Sequence, residues 1–85
     1  MADRVRVLLF ATAREAVGRS SLSHPVPSGG IGLDELLEDL ATEHPRLRPV
    51  LRISRIVRNG EFLRGRGVRI DSGDEIAIHP PYSGG

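Results

Sequence analysis

Apolar and charged residues alternate from the start of the chain, in Arg4-Val5-Arg6-Val7-Leu8-Leu9-Phe10. Period-two spacing in a run rich in β-formers predicts a strand whose buried face carries Val5, Val7 and Leu9. Leu8 and Phe10 then fall on the opposite face. An apolar pair there is either local packing or the mark of an interface. Ala11 to Val17 switch to helix formers and stop at Gly18, which predicts a short helix with glycine just past its end. Residues 20–26 predict a second strand, closed by Pro25, Pro27 and the Ser28-Gly29-Gly30 loop.

The clearest helical period comes next. Leu33, Leu36, Leu37, Leu40, Ala41 and His44 recur at i, i+3, i+4 spacing, with Asp34, Glu35, Glu38, Asp39 and Glu43 between them. This predicts the main helix, capped by Gly32, with its acids forming a solvated face and the early ones complementing the helix dipole. His44-Pro45 ends it, because the residue before proline avoids the α region. Residues 46–52 predict a further helical turn and Ile53–Val57 a strand. Asn59-Gly60 signals a two-residue hairpin into Glu61–Leu63. After turns near Gly65–Gly67 and at Asp71-Ser72-Gly73-Asp74, a last strand spans Glu75–His79. Ile76 and Ile78 share one face of it, Ala77 and His79 the other. The order predicts an α+β domain, a mixed sheet of about five strands with one main helix across one face. The first and last strands, both strongly apolar, would be central neighbours.

Composition narrows the chemistry. Eighty-five residues make a single domain, and a chain of this size buries only about 60–65% of its unfolded surface, as suits a module that works with partners. The absence of cysteine excludes disulfides, a thiolate nucleophile and Cys-based metal sites. His24, His44 and His79 lie far apart without metal-ligand spacing, so no metal site is expected. No apolar run approaches the length of a membrane span and no signal-peptide pattern opens the chain, so a cytoplasmic location without membrane contact is expected. Net charge is only +1 and all twelve basic residues are arginine. Eight of these arginines fall between Arg46 and Arg69, opposed there only by Glu61. That stretch reads either as an anion-binding face or as solvated surface; it lacks the interleaved aromatics that single-strand binding would want.

The last twelve residues carry the most specific chemistry. Asp74-Glu-Ile-Ala-Ile-His-Pro-Pro-Tyr-Ser-Gly-Gly85 runs from an apolar strand through a rigid Pro80-Pro81 step into a slim tail, Tyr82, Ser83, Gly84 and Gly85. The chain therefore divides into a body, residues 1–79, and a flexible tail, residues 80–85. Without Cβ atoms, Gly84 and Gly85 can enter a narrow channel and present the α-carboxylate of Gly85 to another enzyme. Six residues from Pro80 span up to about 20 Å when extended, and the diproline lowers the entropy lost on docking.

Four segments carry a resemblance: Val5–Gly18, with its Phe10-Ala-x-x-Arg14-Glu15-x-x-Gly18; the Leu33–Ala41 helix; Val57-Arg-Asn-Gly60; and Asp74–Gly85 with its Pro-Pro-x-x-Gly-Gly ending. Together they span essentially the whole chain, which resembles the ubiquitin-like β-grasp sulfur carriers of the MoaD/ThiS family, most closely the molybdopterin synthase small subunit type. The resemblance implies a carrier that is not itself an enzyme and binds no cofactor. An E1-like adenylating enzyme (MoeB-type) would activate Gly85 with ATP, and a sulfur donor protein would displace AMP to leave a thiocarboxylate. The acyl-adenylate supplies the leaving group that a bare carboxylate lacks. The tail, Pro80 to Gly85, would then enter the large subunit (MoaE-type), which holds the catalytic residues for building the dithiolene of molybdopterin. Phe10, Arg14 and Phe62 match positions that face the large subunit, although Phe62 also reads as filler for the hairpin core. His79, beside the tail, joins them.

Two positions depart from the family pattern. His79 stands where a bulky apolar residue is common, and Tyr82 where a small aliphatic one is. Both bear on which partner is engaged more than on fold or carrier chemistry. Three other readings stay open: a carrier for thiamine, cysteine or tRNA thiolation; a ubiquitin-like modifier, unable to build lysine-linked chains of itself because it has no lysine; and a small anion- or nucleic-acid-binding domain using Arg46–Arg69.

Overall fold

In the computed structural model, which describes residues 3–81, the chain runs β1 (Arg4–Leu9), α1 (Ala11–Val17), β2 (Ser21–Pro25), β3 (Ile31–Gly32), α2 (Leu33–Glu43), α3 (Leu47–Ile53), β4 (Arg55–Arg58), β5 (Glu61–Phe62), β6 (Arg69–Ile70) and β7 (Glu75–His79). Five strands form one mixed sheet in the order β2-β1-β7-β4-β5, and β3 pairs with β6 in a separate two-stranded ribbon. β1 and β7 lie side by side and parallel, Val7 against Ile76 and Leu9 against Ile78; all other pairs are antiparallel. This is the ubiquitin-like β-grasp, with the first and last strands adjacent in the sheet as their apolar character predicts.

The alternation in β1 buries Val5, Val7 and Leu9, and Ile76, Ile78 and Ile56 join them on the same face of the sheet. Across that face lies α2, burying Leu33, Leu36, Leu37, Leu40 and Ala41 as its period predicts. Each fully buried Leu or Ile removes apolar surface from water worth about 2–3 kcal/mol, so this cluster is the main source of stability. The acids of α2 are not all free in solvent. Glu38 takes a bidentate pair of bonds from Arg48 of α3, at 2.8 and 2.7 Å, and Asp39 lies 3.3 Å from Nε2 of the buried His24.

Three local features differ from the sequence reading. Ile53 ends α3, 63% exposed, rather than opening a strand. Pro49 sits in the first turn of α3, where its missing N–H has no intrahelical partner to lose. The last turn is then closed from outside: the Ser54 hydroxyl donates to the Val50 carbonyl, and the Arg66 guanidinium to the carbonyls of Leu51 and Ser54. The β3–β6 ribbon was not anticipated, being only two residues per strand. It buries Ile31 against Ile70, and it needs glycine at position 30, where φ is +92° and a Cβ would stand 2.7 Å from the Ile70 carbonyl oxygen. β1 stops at Leu9; Phe10 is still extended, but its carbonyl already accepts the Ala13 N–H that opens α1.

The expected hairpin is present: Asn59 and Gly60 both take positive φ, +48° and +87°, as a type I′ turn requires. Among the described residues no helix is long and apolar enough to cross a membrane.

Candidate docking face and tail exit

The face of the sheet turned away from α2 is graded along the strands. Register places Leu8, Ala77, Val57 and Phe62 in one row from β1 across β7 and β4 to β5. One step toward the β7 C-terminus lies a row of Phe10, His79 and Arg55. One step the other way the face turns polar, with Arg6 beside Glu75. The apolar end is thus the end from which Pro80 and Pro81 continue, next to the middle of the sheet. A sheet face of this kind normally meets water, so an apolar, aromatic row on it marks an interaction surface.

Phe10, Phe62 and His79, singled out separately in the sequence, converge here. The His79 ring stacks on Phe10 at 4.5 Å between centroids with planes 11° apart, and Phe62 lies tilted 6.4 Å away. His79 is therefore the aromatic centre of the patch, half-buried between two exposed phenylalanines. Phe62 is 62% exposed and Phe10 42%. Phe62 does not fill the hairpin core. Both rings offer apolar area that nothing among the described residues covers. Arg14 stands exposed on α1, one turn on from Phe10, its backbone N–H donating to the Phe10 carbonyl at 3.4 Å, and without an ion pair among the described residues. Pro80 is half-buried and Pro81 exposed, while Tyr82, Ser83, Gly84 and Gly85 lie outside the described residues.

The sequence alone places Arg55 in the arginine stretch and Val57 in a strand, but neither on a docking face. The Arg55 guanidinium carbon lies 5.5 Å from the Phe62 ring centroid, a cation–π arrangement. Their signal was the alternation around buried Ile56, which puts both on the outer face; nothing in four residues said that this face was apolar.

The hairpin carrying Phe62 is fixed to β7 by a compact polar lock. Asp74 Oδ1 accepts from the Asn59 amide and Oδ2 from the Asp71 N–H, each at 2.9 Å, while Arg58 Nε approaches Oδ2 at 3.2 Å. Asn59 Oδ1 in turn accepts the Glu75 N–H at 2.9 Å. Burial pushes the Asp74 carboxyl up, but the Asp71 N–H, the Asn59 amide and the Arg58 guanidinium outweigh it and hold the pKa below the ordinary carboxylate range. Sequence reading saw only the turn, because the partners of Asn59 lie about fifteen residues on.

Four of the eight arginines from 46 to 69 are engaged within the chain. Arg48 serves Glu38, Arg58 serves Asp74 and Asp71, Arg66 serves backbone carbonyls, and Arg55 rests on Phe62. Among the described residues no cluster of histidine, cysteine or carboxylate side chains is arranged to hold a metal ion.

The sequence profile of the ThiS family matches residues 7–85. The chain belongs to the ThiS family. Among full-length relatives of this ThiS-family chain, the molybdopterin synthase sulfur carrier subunit of Dictyostelium discoideum is 34% identical over 86 residues, covering 100% of both chains. The molybdopterin synthase sulfur carrier subunit of Arabidopsis thaliana is 36% identical over 81 residues, covering 95% of this chain and 82% of its own. Among solved structures, SAMP1 from Haloferax volcanii superposes with a TM-score of 0.82 at 30% identity, covering 96% of this chain and 99% of that one. Fold and family are therefore established together, and the outer face and tail are the parts left for function.

Proposed function

We propose that this chain is the sulfur-carrier subunit of a molybdopterin synthase. The observation that carries the reading is likeness over the full length, through Gly85, to chains named as that subunit. In the proposed cycle the Gly85 carboxylate attacks the α-phosphate of ATP on an E1-like adenylating enzyme, forming an acyl-adenylate and releasing pyrophosphate. Sulfide-level sulfur delivered by a sulfur donor protein then attacks the acyl carbon, the bond to AMP breaks, and a thiocarboxylate is left. The nucleophilic sulfur forms on the terminal carbonyl, so the carrier needs no cysteine, and it has none. The body docks on the large subunit through Phe10, His79 and Phe62, and the Pro80–Gly85 tail carries the sulfur into that subunit's catalytic site. Two loaded chains serve each dithiolene. Chemistry on the pterin belongs to residues of the large subunit; this chain supplies the sulfur and the docking surface, in the cytoplasm.

The test is the intact mass of the chain after incubation with adenylating enzyme, ATP and a sulfur donor. Exchange of one oxygen for sulfur, confined to Gly85 and dependent on ATP, is expected. An unchanged mass beside an adenylating enzyme proven active on another carrier would overturn the reading. A second reading, a protein modifier joined through Gly85 to lysines of other proteins, is favoured by the likeness to SAMP1, which belongs to the small archaeal modifier proteins. It predicts conjugates of higher mass in extracts that disappear when Gly85 is removed.

A further inference from the structure

We propose that Arg55 is a specificity-determining residue of the docking face, and that the large subunit meets it with a carboxylate. The inference rests on the carrier reading, which makes the large subunit the protein that covers this face.

Arg55 stands opposite His79 across the β4–β7 pair, and its guanidinium lies over the Phe62 ring. No carboxylate pairs with it among the described residues, although close by in sequence Arg48 has one and Arg58 two. The acids nearest to it in the sheet are turned elsewhere. Glu75 lies at the polar end of the outer face, two rows away along β7, and Glu61 precedes Phe62 on β5 and alternates to the other face. Alone, then, the free chain keeps this cation in water, on top of an exposed aromatic ring.

Docking changes that balance. A partner that covers Phe62 and Phe10 must also strip water from the guanidinium lying on Phe62. A desolvated cation without a counter-charge is strongly unfavourable, whereas one met by a hydrogen-bonded carboxylate is not. The planar shape of Arg allows both contacts at once: its face stays on the Phe62 ring while its N–H edge points to a bidentate acid. The surface that fits is therefore an apolar groove for Phe10, His79 and Phe62 with an acidic side chain at the Arg55 edge. A partner with an apolar or basic group at that point is rejected by the cost of the unpaired cation. Among the described residues, a second copy of this chain would bring arginine and histidine but no acidic side chain to this end of the face.

The experiment is calorimetric titration of the molybdopterin synthase large subunit encoded in the same genome with the wild-type chain and the variants Arg55→Lys, Arg55→Ala, Arg55→Glu and Phe62→Ala, at low and high salt. Arg55 is exposed, so the variants should keep the wild-type melting temperature, which is measured alongside. Truncating one partner of a desolvated charge pair weakens binding by about thirtyfold or more; Arg55→Ala should show a loss of that order and Arg55→Glu a larger one. Arg55→Lys should fall between wild type and alanine, because it keeps the charge and loses the fork. The wild-type affinity should drop more steeply with salt than that of Arg55→Ala. Binding of Arg55→Ala and Arg55→Glu within about twofold of wild type, with Phe62→Ala weakened, would overturn the role of Arg55 and leave the carrier reading intact. Absence of binding by the wild-type chain itself would instead overturn the reading, and the proposal with it.

Discussion

Asp74 joins three segments through one carboxylate: it accepts from Asn59 in the hairpin turn and from the Asp71 N–H in its own turn, and it pairs with Arg58 of β4. Because these partners hold its folded-state pKa below the ordinary 3.8, its contribution to stability is fully present above that value. It is lost as pH falls through the lower folded value. Urea unfolding of the wild-type chain should therefore weaken from about pH 4 downward, and part of that loss should be missing in Asp74→Asn. At neutral pH the variant should be less stable by about 1–3 kcal/mol, the range for hydrogen bonds to a charged group. Stability curves that stay parallel through the acid range would show that the lock contributes nothing specific. The same carboxylate holds in place the hairpin that carries Phe62, so its loss should also loosen one edge of the docking face. Glu38 is also held below its ordinary value, chiefly by its hydrogen bonds from Arg48. That pair is open to solvent, and exposed pairs contribute little, so acid sensitivity should concentrate at Asp74.

Elements differ in how far local sequence determines them. α2 was legible because its period is its packing: the same leucines that recur at i, i+3, i+4 are the ones buried. The end of α3 was not, because it is set by Arg66, twelve and fifteen residues away from the carbonyls it binds. Arg66→Ala should leave two carbonyls at that end short of donors and cost about 1–3 kcal/mol, with faster amide exchange at Ser54 and Arg55 as the local sign. Unchanged exchange there would mean the helix end holds without the clamp. A similar distinction applies to the site. Phe10, Arg14, Phe62 and His79 were named from a family resemblance, one position at a time. Their meeting in one patch follows from parallel β1–β7 pairing, which no local pattern encodes. Arg14 lies one turn along α1 from Phe10, its N–H bonded to the Phe10 carbonyl. The β3–β6 ribbon was missed because two-residue strands are too short to show a period.

At the scale of the whole molecule the proposed cycle assigns docking to the body and reaction to the tail, and the two roles should be separable by experiment. Among the described residues the core closes at Ile78, and everything that packs Phe10, His79 and Phe62 together lies at or before position 79. Deleting Gly84 and Gly85 should therefore change the stability of the body by less than about 0.5 kcal/mol, the usual range for changes away from packed features. Affinity arising from the outer face should survive as well. What the deletion removes is the group that the proposed cycle activates. The shortened chain should take up no sulfur in the ATP-dependent loading assay, yet bind the large subunit and compete there with loaded carrier. Added in excess to a reconstituted synthase, it should slow dithiolene formation in proportion to its occupancy of the docking face. Combining the deletion with Phe62→Ala should relieve that inhibition. A shortened chain that neither binds nor inhibits would mean that the tail supplies most of the affinity and that the outer face is a lesser contact. Inhibition undiminished by Phe62→Ala would point to a different surface of the body.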